Sequence, residues 1–181
     1  MNAAVRTLVA ALLGALALAA AALPATLPAA ALDAAPALRP LGSGEMRWLG
    51  FRLYDAQLWV SGTAYQPDQP HALALRYHRG ISAARLVDTS VDEMRRLGAA
   101  DEAQLLRWRA ALQQAFPDVA AEEVIVGLHL PGGGAAFWHQ GRLTARIDDA
   151  EFARLFFAIW LDPRTREPGL RARLLGAGAA R

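Results

Sequence analysis

The stretch Glu123-Val-Ile-Val-Gly-Leu-His-Leu-Pro-Gly-Gly-Gly-Ala-Ala-Phe-Trp-His-Gln-Gly-Arg-Leu-Thr-Ala-Arg-Ile147 decides the fold class. Val124, Val126, Leu128 and Leu130 alternate at the period of a strand. Pro131 to Gly134 then reads as a turn, and Ala135 to His139 as a second strand. Gln140-Gly141 is a two-residue hairpin leading into a third strand, Arg142 to Ile147. Next, the period changes from two to between three and four. Asp148 reads as a helix cap with Glu151 in the reciprocal position. Phe152, Leu155, Phe156, Ile159 and Trp160 form one apolar stripe. Asp162-Pro163 closes that helix, and Pro168 opens a short last one reaching Leu175, with Gly176 as its stop.

Upstream, the same two periods occur in the same order. Phe51 to Val60 reads as a strand with Phe51, Leu53 and Trp59 on one face and Tyr54, Ala56, Leu58 and Val60 on the other. Both faces are apolar, so both are expected to be partly covered. Ser61 to Pro70 is a loop, and His71 to Arg79 a second strand carrying Leu73, Leu75 and Tyr77 on one side. Ser82 is a helix N-cap and Gly98 its stop, with Ala83, Leu86, Val87, Ser90, Val91, Met94 and Leu97 as the core stripe. Asp101 and Gln104 resemble a capping box for the next helix, whose stripe is Leu105, Trp108, Leu112, Ala115 and Phe116. Strands, a helix pair, more strands and closing helices make an α+β fold with a largely antiparallel sheet, in one domain with no internal repeat.

The N-terminus has a different composition. Arg6 is the only charged residue before Asp33, and Thr7 to Leu23 is almost wholly Ala and Leu. Pro24, Pro28 and the small residues Ala29, Ala30 and Ala31 follow. This is the order of a secretory signal, with cleavage expected after Ala31, or after Ala34 as second choice. The alternative is a retained anchor, but a span needs about 20 apolar residues and Ala is weakly apolar. The expected organisation is a signal over 1–31, an extended Ala/Pro-rich lead-in over 32–41, a domain over 42–176 and a tail over 177–181. The expected location is periplasmic or otherwise exported, with no stable membrane span after cleavage.

Composition narrows the chemistry. All 19 basic residues are Arg, against 17 acids. They are interspersed, with no basic block of the kind nucleic acid selects, so nucleic acid is not an expected partner. The chain has no Cys, which excludes disulfides, thiol catalysis, Cys-ligated metals and lipidation at Cys. His71, His78, His129 and His139 lack metal-ligand spacing, and no metal or cofactor is expected. There is no Gly-x-Ser-x-Gly elbow, and Gly132-Gly-Gly134 lies between strands without the Lys of a phosphate loop. The aromatic residues Trp48, Tyr54, Trp59, Tyr77, Phe137, Trp138, Phe156, Phe157 and Trp160 fall on elements expected to pack together. They are either core or the wall of an apolar pocket with Arg47, Tyr54, Tyr77 and Glu93 as its polar groups.

Several segments resemble the bacterial chalcone isomerase-like proteins. They are Gly42-Ser-Gly-Glu-Met-Arg-Trp-Leu-Gly-Phe-Arg-Leu-Tyr-Asp-Ala-Gln-Leu-Trp59, Leu75 to Ile81, Glu93 to Gly98, Ala136 to Gly141 and, most specific, Phe156 to Gly176. The resemblance spans about 42–176. It implies an open-faced β-sandwich, a large antiparallel sheet with a layer of helices on one face and a ligand cleft between. In that family some members close a chalcone to a flavanone, and non-catalytic members bind fatty acids. The cyclisation uses an Arg near the first strands, for which Arg47 is the best match, with Arg39 or Arg52 less so. It also uses a Thr whose place falls at Leu49, and a Tyr and an Asn on the first helix, where Leu86 or Val87 and Glu93 stand here. Losing one such donor alone costs about 10²–10³-fold in rate.

Together with the N-terminal signal and the missing polar residues, the resemblance implies an exported, non-catalytic protein binding a small apolar acid such as a fatty acid. Arg47 would hold the carboxylate or pair with Glu93, and Tyr54, Tyr77, Glu93, Trp138 and Trp160 would line the site. Two alternatives stand beside it: an intramolecular lyase acting on an enone, and an envelope structural or partner-binding protein with a filled core.

Overall fold

The computed structural model describes residues 27–99 and 101–177. Six strands form one fully antiparallel sheet in sequence order. They are β1 (Arg39–Trp48), β2 (Phe51–Val60), β3 (His71–Tyr77), β4 (Val124–Leu130), β5 (Gly134–His139) and β6 (Arg142–Ile147). The helices are α1 (Ala29–Ala34), α2 (Ala83–Leu97), α3 (Glu102–Ala115), α4 (Ala150–Leu161) and α5 (Pro168–Leu174). The pair α2–α3 lies between β3 and β4 in the chain, yet those strands are neighbours in the sheet. This is the α+β architecture that the strand–helix–strand–helix order implies.

Helices α2, α3, α4 and α5 pack on one face. Leu58, Val60, Leu73, Leu75 and Tyr77 of the sheet join Val91, Met94, Leu112, Phe152, Phe156 and Leu170 of the helices in one buried cluster. The residues between them on the strands point the other way. Trp59, Ala72, Ala74, Val126, Leu128 and Trp138 make a second cluster, closed by Leu27, Ala31, Ala35 and Leu38. Coverage of both faces agrees with the two apolar sides read in Phe51 to Val60. Its agent is α1, where an extended lead-in over 32–41 was expected. Ala29–Ala34 is helical, and the chain is extended only from Arg39. Burial of Ala31 and Ala35 against the sheet favours a helix that the Pro content alone does not indicate. The rest of the expected signal lies outside the described residues.

Most helix ends follow the sequence reading. Ser82 caps α2 by accepting from Arg85 N, and Gly98 ends it at φ 127°. At α4 the cap is Asp149 and not Asp148; its carboxylate accepts from the amides of Glu151 and Phe152, both at 2.9 Å. Its other oxygen accepts from Trp108 Nε1 at 2.8 Å, which ties α3 to α4 and makes the second Asp the better placed. Asp101 caps α3, but the Gln104 side chain donates to Glu151 and so leaves the capping box half made.

Gly42 is required by packing. A Cβ there would stand 2.2 Å from the Arg173 carbonyl, so α5 closes on β1 only over a glycine.

Candidate functional site

A cavity of about 660 Å³ lies between the sheet and α2, α4 and α5, within the range of small-molecule sites. Its floor comes from the alternation of β2, β3, β4 and β5, which turns Tyr54, Leu73, Leu75, Tyr77, Ile125 and Phe137 toward the helices. Phe156 and Phe157 of α4 form the inner wall. Gly127 makes room for them, because a Cβ there would press on Phe137 at 3.2 Å and Phe157 at 3.3 Å. Behind Phe157, His71 and His129 face each other across β3 and β4, with ring centroids 4.5 Å apart. Burial lowers both imidazoles, His71 to about 4, so they are neutral at pH 7.

The rim is polar. Trp48, Arg79, Arg85, Thr89 and Arg166 border the opening and are exposed. Glu93 accepts from Arg96 at 2.6 Å and from Arg166 at 2.8 Å, so its charge is matched. Arg79 and Arg85 make no ion pair among the described residues. Arg79 instead lies 5.3 Å from the Phe51 ring centroid.

Two phenols stand deeper. Tyr54 and Tyr77 are cross-strand partners whose rings meet edge-on at 5.8 Å. The Tyr54 hydroxyl accepts from Trp160 Nε1 at 3.0 Å, so its own proton is available to a ligand. Burial raises Tyr54 to about 12, and burial and Tyr54 together raise Tyr77 further still. Both are therefore neutral donors at physiological pH and not bases. Ser90 and Thr165 also border the cavity, but their hydroxyls donate to the carbonyls of Leu86 and Ile159.

Of the six residues expected at the site, Tyr54, Tyr77, Glu93 and Trp160 line the cavity. Arg47 does not. It pairs with Glu45 and donates to Gly50 O at 3.3 Å, and no Arg47–Glu93 pair forms. Strand alternation explains this: Met46 and Trp48, two residues apart on β1, line the cavity, and Arg47 between them faces away. Trp138 does not line it either. It follows inward-facing Phe137 by one residue and is 1% exposed in the cluster under α1. Leu49, the counted place of the family's Thr, sits in the exposed β1–β2 turn.

Arg79 and Arg85 escaped the sequence reading. The available signal was the spacing Arg85, Thr89, Glu93, a second stripe of α2 beside its core stripe.

Glu45, Asp55 and His78 each offer a ligand atom within a 4.8 Å span. Arg52 bridges Glu45 and Asp55, and Arg47 shares Glu45. With two guanidinium groups already on these carboxylates, the cluster reads as an ion-pair network and not a cation site.

A single antiparallel sheet, a helical layer on one face and an apolar cleft between them define an open-faced sandwich built around a ligand cavity. The chalcone isomerase-like family description matches residues 42–176. The chain belongs to that family. No curated protein matches it. Among solved structures it is similar to the fatty-acid binding protein of Arabidopsis thaliana, with TM-score 0.63, 12% identity, and coverage of 86% of this chain and 91% of that one. At that identity the likeness speaks for the fold.

Proposed function

We propose that this is an exported, non-catalytic binder of a small apolar acid such as a fatty acid. The observation carrying it is the apolar cavity of about 660 Å³ with Arg79 and Arg85, without an ion pair among the described residues, at its opening. An alkyl chain would lie against Leu73, Leu75, Phe137, Phe156 and Phe157, where each buried methylene contributes about 0.8 kcal/mol. The carboxylate would stay at the rim with Arg85 and Arg79, avoiding the cost of burying a charge in the apolar interior. Tyr54 and Tyr77 would donate to any polar group along the chain. The similar structure is that of a fatty-acid binding protein, which supports the same reading. Export rests on the composition of residues 1–31.

Titration with a fluorescent fatty acid tests this. Saturable binding at one site, displaced by an unlabelled fatty acid, is expected. No saturable signal at micromolar protein would refute it.

A second reading, an intramolecular lyase acting on an enone, is favoured by the Tyr54–Tyr77 pair, since two neutral phenols could polarise a ketone as enolate charge develops. Turnover of a chalcone panel above the buffer rate, lost in Tyr77→Phe, would support it. The cavity argues against the third alternative, a domain with a filled core.

A further inference from the structure

Among the described residues, three of the five large apolar side chains left exposed are clustered at one turn. Trp48 is 61% exposed, Leu49 81% and Phe51 63%. They end the β1–β2 hairpin, which overhangs the sheet. Pairing of β1 with β2 runs out to Trp48 and Phe51, whereas the register of β2 with β3 begins at Tyr54, with His78 N still donating to Leu53 O at 2.8 Å. The two residues beyond, Phe51 and Arg52, project about 7 Å.

The turn chemistry is unusual. Leu49 has φ 47° and Gly50 φ 84°. A two-residue turn with both φ positive ordinarily takes Asn or Asp before Gly. A leucine there accepts backbone strain and is the most exposed of the three, so its side chain contributes nothing to the fold that Asn would not. Arginines surround the turn. Arg47 and Arg52 share Glu45, Arg52 also approaches Asp55 at 3.5 Å, and Arg79 lies over Phe51. The guanidinium groups outnumber the carboxylates.

We propose that this hairpin end is a docking surface for an anionic phospholipid bilayer. Trp48, Leu49 and Phe51 enter the interface, where amphipathic aromatic rings are favoured, and Arg47, Arg52 and Arg79 meet the phosphates. The overhang matches the depth of roughly 5–10 Å at which interfacial elements settle. A protein partner fits less well. Three side chains on a narrow overhanging turn present less than about 500 Å², short of the roughly 800 Å² per partner of a stable interface. Trp48 also borders the cavity opening, so docking would set that opening against the bilayer. The proposal takes from the ligand reading the position of the opening and shares Arg79 with it.

Sedimentation of the full chain with vesicles tests it, using phosphatidylcholine alone and phosphatidylcholine mixed with phosphatidylglycerol. Binding to the anionic vesicles is expected, weakened by salt. Leu49→Ser with Phe51→Ser should lower it at least about tenfold. Binding of fluorescent fatty acid to Leu49→Ser, measured without vesicles, should match wild type, which separates this proposal from the ligand reading. Leu49→Asn should bind vesicles less while melting no lower than wild type, because Asn tolerates the left-handed backbone. Wild-type protein that stays in the supernatant with anionic vesicles would overturn the proposal. So would a double variant that sediments as well as wild type.

Discussion

Trp160 Nε1 donates to the Tyr54 hydroxyl at 3.0 Å, joining α4 to β2 across the cavity between residues 106 apart in sequence. The bond fixes the phenol as an acceptor from the indole and so directs its proton to the cavity. Tyr54→Phe would strand the indole N–H. The expected cost is about 1–3 kcal/mol of stability by urea unfolding, with weaker binding of any ligand that accepts from Tyr54.

The rim arginines separate from the one read in the sequence. Arg85→Gln is expected to weaken fatty-acid binding about tenfold, in line with losing a charge-assisted hydrogen bond. Arg47→Ala should leave the affinity within twofold, since Arg47 turns away from the cavity to Glu45. Parallel displacement titrations of the two variants check this.

Much of the architecture is written in periodicity. The change from alternating Val124–Leu130 to the stripe Phe152–Trp160 marks strand and helix without ambiguity, and the Gln140-Gly141 hairpin marks the join of β5 to β6. The site was less legible because residue type alone does not say which face of a strand looks into the cavity. Arg47 alternates with the inward Met46 and Trp48, and Trp138 follows the inward Phe137 by one residue. Both take the outward place in their strands. Tyr54 and Tyr77 lie in regular pairing, and were assigned to the right face. The helix α1 was illegible because only tertiary burial of its alanines makes it.

That helix bears on processing. Cleavage after Ala31 would remove Leu27, which is 4% exposed, and half of α1, and would uncover Trp59 and Trp138. Burial of one leucine is worth about 1.5–3 kcal/mol. Under the proposed export, a mature N-terminus upstream of Leu27 is expected, and the intact mass of the chain recovered from the envelope fraction reads it. A protein beginning at Leu32 should melt several degrees lower than one beginning at Leu27.

The buried pair His71 and His129 sets an acid limit. Burial lowers His71 from 6.5 to about 4, so between those values the unfolded chain binds the proton more tightly than the folded one. Stability is then fully present above pH 6.5 and falls as the pH drops toward 4, by on the order of 3 kcal/mol from this group. His71→Asn keeps a donor for Gln69 O, the partner of His71 Nδ1 at 2.9 Å. It should flatten this limb of the urea-unfolding profile between pH 7 and 4.

The central claim is that the cavity between sheet and helices holds an apolar acid. Native mass spectrometry of gently purified protein tests it most directly. The account predicts a species heavier than the chain by one fatty acid, released on denaturation and restored by adding fatty acid to stripped protein. A clean chain mass that stays clean after fatty acid is added would contradict it.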